Sequence, residues 1–235
     1  MSAPPPGDGP GTVAVVPLRG GVSGKSRLAA ALDPAARRRL VAALARHVVA
    51  VLLASDGVDG VLVVTADVPF AVDTLGLRAR GGSARVEVVQ QPPDRPGLNA
   101  ALDVGREAAL ERGAARLLVA HADLPLLAPD DVVALLAAGA AGDAPAPVVV
   151  ATDRHLAGTN LLVLPTRPPG DAPFAFRFGE GSRAAHVAEA ERAGLRPVVV
   201  RRPGTAVDLD TVDDWGELPR AVRDRLRHGL DLPLP

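Results

Sequence analysis

The chain has 235 residues and a formal charge of −1, with 26 Lys+Arg against 27 Asp+Glu, so no net field draws it toward nucleic acid or anionic membranes. It has no cysteine, no tyrosine and only 2% aromatic residues, which excludes a disulfide framework, thiolate chemistry and the stacking platforms of single-strand binders. Apolar residues at 48% and charged residues at 23% are the balance of one globular domain. A Pro/Gly-rich tail is expected over 1–11, the domain over 12–218 and a helical tail over 219–235. The N-terminus has neither a basic nor an apolar targeting segment, and the apolar run Val48–Ala54 is far short of the roughly 20 residues of a membrane span. A cytoplasmic protein with no nucleic-acid or membrane partner is expected.

In chain order, Val13–Pro17 reads as a buried strand, and Ser26–Leu32 as one or two helical turns. Asp33-Pro34 opens a helix with a carboxylate cap and proline at its first position, and Leu40, Leu44, Val48, Val51 and Leu52 share one face of it. Val61–Thr65 and Val86–Gln90 are strands, and Leu98–Arg112 is an amphipathic helix closed by Gly113. The strand Arg116–Ala120 follows, then a helix over Ala128–Ala138 and strands at Val148–Thr152 and Leu161–Pro165. A helix near Arg183–Ala193, a strand over Val198–Arg201 and helical pieces from Thr211 complete the chain. Apolar strands alternating with helices predict an α/β fold, a three-layer sandwich around a mostly parallel central sheet. Such sheets bind ligands beyond the carboxyl ends of their strands, so the residues just after each strand are the candidates.

After the first strand, Arg19, Gly20, Lys25 and Arg27 lie in a glycine-rich basic loop. Glycine there lets backbone N–H groups approach phosphates, and Lys25 is the only lysine of the chain. The loop is one residue short of the spacing of a P-loop, since that motif needs its first glycine where Arg19 stands. Gly97 breaks the chain ahead of a helix, and Asn99 is either a helix-start residue or a partner for a base or ribose. Asp123 stands just past an apolar strand, as a metal-binding carboxylate would, with His121 packing beside it. Gly179, Gly181 and Ser182 form an anion nest at a helix start, while Phe174, Phe176 and Phe178 alternate as a strand would and anchor that loop in the core. Ala206–Asp210 is expected to end the last strand, so that Asp208 and Asp210 point to one face. Two same-face carboxylates repel unless a cation lies between them; with Asp123 they make a hard-oxygen site suited to Mg²⁺. Asp213 and Asp214 cap the next helix, with Trp215 as its buried anchor. Three aspartates with several phosphate nests point to metal-assisted phosphoryl or nucleotidyl transfer.

These residues, in this order, resemble a known family. Lys25-Ser26-Arg27-Leu28, Gly97-Leu-Asn99, Ala122-Asp-Leu-Pro-Leu-Leu127, Asp153-Arg154 with Gly158-Thr-Asn160, Phe178-Gly179 with Gly181-Ser182 and His186, and Asp208-Leu-Asp210 carry the likeness. The family is the guanylyltransferases that make the phosphodiester precursor of the deazaflavin coenzyme F-420, from 2-phospho-L-lactate in archaea or phosphoenolpyruvate in actinobacteria. The resemblance runs from Val13 to Trp215 and implies a GT-A-like nucleotidyltransferase fold. It implies that Asp123, Asp208 and Asp210 hold Mg²⁺, and that Lys25 with its loop (Arg19, Gly20, Arg27) holds the phosphates of GTP. Gly97 and Asn99 would meet the nucleoside; Thr159, Gly179 and Ser182 would receive a small phosphorylated three-carbon acid. The family usually has lysine where Arg19 stands. The arginine-rich composition favours phosphoenolpyruvate as the acid, with 2-phospho-L-lactate and 3-phosphoglycerate as alternatives. A non-catalytic nucleotide-binding relative, or a sugar or molybdopterin nucleotidyltransferase, are the competing readings.

Overall fold

The computed structural model describes residues 11–20, 26–77, 85–140, 146–169, 173–232 and 234. Lys25, with residues 21–24 of the basic loop, and residues 1–10 of the expected tail lie outside them. The strands are β1 (Thr12–Pro17), β2 (Gly60–Thr65), β3 (Val86–Gln90), β4 (Arg116–Ala120), β5 (Pro147–Thr152), β6 (Thr159–Pro165) and β7 (Arg196–Val200). The helices are α1 (Pro34–Ala54), α2 (Val68–Leu75), α3 (Leu98–Glu111), α4 (Pro129–Ala138), α5 (Ser182–Arg192), α6 (Val212–Glu217) and α7 (Arg220–Leu230).

Among the described residues the strands form one seven-stranded sheet in the order β3-β2-β1-β4-β6-β5-β7. Every neighbouring pair is parallel except those of β6, which runs antiparallel to both β4 and β5. Successive residues of β1 serve opposite layers: Ala14 and Val16 pack with α1, α2 and α4, whereas Val13 and Val15 pack with α3 and the three phenylalanines. The three-layer expectation therefore holds. A third apolar cluster joins the outer face of α1 to Leu209, Trp215, Leu218, Leu232 and Leu234. The segment beyond 218, expected as a tail, is thus packed: Arg39 Nε donates to Leu230 O at 3.0 Å, and Leu232 and Leu234 are buried.

Local chemistry accounts for the element starts. Asp33 caps α1 by accepting the Ala36 N–H at 2.7 Å. Gly105, in the middle of α3, lets that helix settle on the sheet; a Cβ there would stand 2.4 Å from Val15 Cγ1.

One helix adds to the expected elements and two expected strands are absent. The helix α2 was not foreseen, although Asp67 caps it through the Phe70 N–H at 3.1 Å and Gly76 ends it in the left-handed region at φ 63°. The helical turns expected over Ser26–Leu32 are a 3₁₀ turn at Ser26–Leu28, after which Leu28 O accepts from both Ala31 and Leu32. Neither Phe174–Phe178 nor Ala206–Asp210 is a strand. The sheet ends at β3 and β7, and neither segment pairs with it; Leu209 N instead donates to Asp123 O, and Phe178 is bonded by Asn99.

Candidate active site

A cavity of about 710 Å³ opens at the carboxyl ends of β1, β2, β3 and β4. It lies where parallel α/β sheets bind ligands, and its size falls in the range of small-molecule sites. Arg19 and Arg27 line it from the first loop, and Gln91, Gly97 and Leu98 from the end of β3 and the start of α3. His121 and Asp123 enter after β4, Thr159 and Asn160 from β6, and Gly179, Gly181 and Ser182 from the start of α5. Asp208 and Asp210 come from the loop before α6.

The loop carrying Asp208 and Asp210 lacks a sheet ladder but is held by specific bonds. The Leu209 N–H donates to Asp123 O at 3.0 Å, tying it to the end of β4, and Leu209 is buried. Asn160 Nδ2 donates to Thr205 O at 2.8 Å and lies 3.5 Å from Asp208 Oδ1. On the other flank, Asp214 accepts from Arg154 Nη2 at 2.7 Å, from Asp210 N at 2.9 Å and from Thr211 N at 2.7 Å. Asp214 and Trp215 thus take the capping and anchoring roles expected of them. Asp208 is half-buried, and burial first, then the Asp123 and Asp210 charges, push its carboxyl above the ordinary range.

Among the described residues, no group of three or more His, Cys, Asp or Glu side chains is gathered closely enough to hold a metal by itself. Asp123, Asp208 and Asp210, expected together as one cation site, therefore share the cavity without forming a closed three-carboxylate cage; Mg²⁺ would need only one or two of them, with water and substrate phosphates completing its shell. Asp123, Asp208 and Asp210 supply the oxygen donors on this cavity.

The opposite wall carries hydroxyls. Thr159 and Ser182 are buried and joined by the Thr159 N–H, which donates to Ser182 Oγ at 2.9 Å. The anion nest expected at the start of α5 is partly committed to protein: Ser182 N donates to Gly179 O and Arg183 N to Ala157 O. Asn99 does not line the cavity. Its Nδ2 donates to Phe178 O at 3.1 Å and its Oδ1 accepts from Phe178 N at 2.9 Å, so it fastens the phenylalanine-bearing loop to α3. Gly97 caps α3 at φ 97° and does line the cavity. Gly20 presses against Asp67, leaving 2.7 Å between an added Cβ and Asp67 Oδ2. The buried rings of Phe174, Phe176 and Phe178 anchor their loop as expected, and His121 packs 5.0 Å from Phe178.

The family profile described as "Guanylyl transferase CofC like" matches residues 12–224. The chain belongs to that family. A phosphoenolpyruvate guanylyltransferase of Rubrobacter xylanophilus is 42% identical over 87% of this chain and 92% of its own length. A 3-phospho-D-glycerate guanylyltransferase of Phenylobacterium zucineum is 34% identical over 88% of this chain and 89% of its own. Among solved structures, a Desulfovibrio desulfuricans protein assigned as a nucleotide-diphospho-sugar transferase superposes with a TM-score of 0.71 at 16% identity, covering 94% of this chain and 96% of that one. That likeness is one of fold, and it agrees with the nucleotidyltransferase architecture expected above.

For this guanylyl transferase, the cavity also draws on side chains that hold other residues, one of which carries no signal in the sequence. Gln91 is one: its Nε2 donates to Arg95 O at 2.6 Å and Gly97 O at 2.9 Å, shaping the turn into α3. Asn160 is another, through Asp208 and Thr205. Asn160 belongs to the Gly158-Thr-Asn160 motif named from the sequence, though its bonds to Thr205 and Asp208 are not encoded there; for Gln91 no signal is visible. No helix among the described residues is long and apolar enough to cross a membrane.

Proposed function

We propose that this protein transfers GMP from GTP to phosphoenolpyruvate, giving enolpyruvyl-diphospho-5′-guanosine and pyrophosphate. The observation that carries the reading is the convergence of Asp123, Asp208 and Asp210 on the same cavity as the paired hydroxyls of Thr159 and Ser182. Strand order supports the layout of substrates. The hydroxyl pair sits at β6, the carboxylates at β4, the basic loop at β1, and Gln91 with Gly97 beyond β3. Neighbouring strands are about 4.8 Å apart, so the row offers an acid, a phosphate chain and a base their places in that order.

An oxygen of the acid's phosphate, already ionised near neutral pH, attacks the α-phosphorus of GTP, and pyrophosphate leaves with the bond it loses. No strong general base is needed. Mg²⁺, held by one or two of Asp123, Asp208 and Asp210 together with the substrate phosphates, would neutralise phosphate repulsion and the charge that develops on transfer. Arg19 and Arg27 add positive charge at the cavity mouth, arginine keeping the charge of the family's usual lysine but not its compact geometry. Thr159 and Ser182 orient the acid, and positioning of this kind supplies much of the rate. The resemblance extends the reading to the phosphodiester precursor of coenzyme F-420, made in the cytoplasm where both substrates are found.

The higher identity to the phosphoenolpyruvate enzyme supports that acid, while the 3-phospho-D-glycerate relative keeps a second acid in view. Purified protein with Mg²⁺ and GTP is to be mixed separately with phosphoenolpyruvate, 2-phospho-L-lactate and 3-phosphoglycerate, with products read by mass and pyrophosphate by coupled assay. A guanylylated product with phosphoenolpyruvate, lost in Asp123→Ala, is expected. Product only with another acid overturns the substrate, and GTP binding without product from any acid favours a non-catalytic relative.

A further inference from the structure

His186 is fully buried on α5, one turn after Ser182 on the same helix face, and its hydrogens have a single arrangement. The backbone N–H of Arg177 donates to Nε2 at 3.0 Å, so Nε2 carries no proton and, in a neutral ring, Nδ1 does. Nδ1 lies 3.0 Å from Thr159 Oγ1 and therefore donates to it. Thr159 Oγ1 is an acceptor in that bond, and its own proton must go elsewhere. Ser182 Oγ is in the same position, since it accepts the Thr159 N–H. Among the described residues neither hydroxyl proton has a protein acceptor, and both residues line the cavity.

We propose that His186 is a positioning residue: by donating from Nδ1 it turns the Thr159 hydroxyl proton into the cavity, where with Ser182 it forms a donor pair for the anionic groups of the phosphorylated acid. The inference rests on the reading of Thr159 and Ser182 as the acid subsite. The surroundings keep the ring neutral. Burial leads, followed by the charge of His121, with Glu189 opposing and Arg177 adding, and the ring is lowered to about 4. A protonated ring would set Nε2–H against the Arg177 N–H and break the arrangement.

The test compares His186→Asn, whose amide nitrogen falls near the Nδ1 position, with His186→Gln, whose amide falls near Nε2. His186→Gln should raise KM for the acid about tenfold, the scale of a hydrogen bond to a charged group, with KM for GTP and kcat changed less than about twofold. His186→Asn should stay within about threefold of wild type on all three. Thr159→Val should match His186→Gln, and the double variant should be no worse than either. Equal effects of His186→Gln on both substrates, or multiplication of the two single effects, overturns the proposal. If Thr159→Val raises KM for the acid and His186→Gln does not, only the role of His186 falls; if Thr159→Val leaves it unchanged, the acid subsite falls too. Imidazole ¹⁵N spectra of the wild-type enzyme need no variant to fold: an Nδ1–H tautomer persisting to about pH 5 is expected, and an Nε2–H tautomer or a midpoint near the ordinary 6.5 refutes the assignment.

Discussion

Replacing Asp214 with alanine removes the clamp on the loop that carries Asp208 and Asp210. The carboxylate accepts four hydrogen bonds: Arg154 Nη2 at 2.7 Å, Asp210 N at 2.9 Å, Thr211 N at 2.7 Å and Thr211 Oγ1 at 2.8 Å. Breaking a buried ion pair costs about 3–5 kcal/mol because the remaining charge is left alone. Here the Arg154 side chain keeps 25% of its surface exposed against 11% for Asp214, so water partly rescues it and about 2–3 kcal/mol is expected. Urea unfolding of Asp214→Ala, Arg154→Met and the double variant measures it. The double variant should cost clearly less than the two singles combined, since each single removes the same bond. The pH dependence has a definite sign. Burial acts to raise the Asp214 carboxyl, but the Arg154 and Thr211 bonds outweigh it and hold it below the ordinary value of 3.8. Its stabilisation is thus present above about pH 4 and is lost as the pH falls through the folded value. Asp214→Ala should remove that acid-limb loss and raise the Mg²⁺ concentration needed for half-maximal turnover. A cost below about 0.5 kcal/mol, or strict additivity, would refute the clamp.

Asp208→Asn should abolish turnover yet raise the melting temperature in EDTA, because burial and the Asp123 charge disfavour its ionised form in the fold; a lowered melting temperature contradicts that electrostatic account. For Asp208 itself the penalty is present above its raised folded pKa and is relieved as the pH drops through it. Gly105→Ala places a Cβ 2.4 Å from Val15 Cγ1, and overpacking of about 1–3 kcal/mol should exceed the gain of about 1 kcal/mol in helix propensity. Unchanged or higher stability by denaturant titration would mean that α3 does not approach β1 this closely. His186, neutral in the fold to about 4 and protonated in the unfolded chain below about 6.5, should make stability fall by up to about 1.4 kcal/mol per pH unit between those values. His186→Asn should flatten that slope in thermal melts recorded across the same range.

Much of the architecture is legible in local pattern. Apolar runs such as Arg116–Ala120 and Val148–Thr152 announce strands buried on both faces, and Asp33-Pro34 announces a helix start, because burial and capping act over a few residues. The place of Asp123 just past a strand and of Ser182 at a helix start also marked them as candidates, and the family resemblance added Thr159. What tertiary structure alone decided are the pairings across long separations. β6 inserts antiparallel between β4 and β5, and Ala206–Asp210 lies outside the sheet, so the two aspartates are held by Asp123 O and Asp214 instead of by a strand ladder. Asn99 bonding Phe178, and His186 bonding Thr159, join elements whose contact no local propensity encodes. A side-chain amide or imidazole can satisfy many partners equally well, and only the packed geometry selects which one lies within hydrogen-bonding reach.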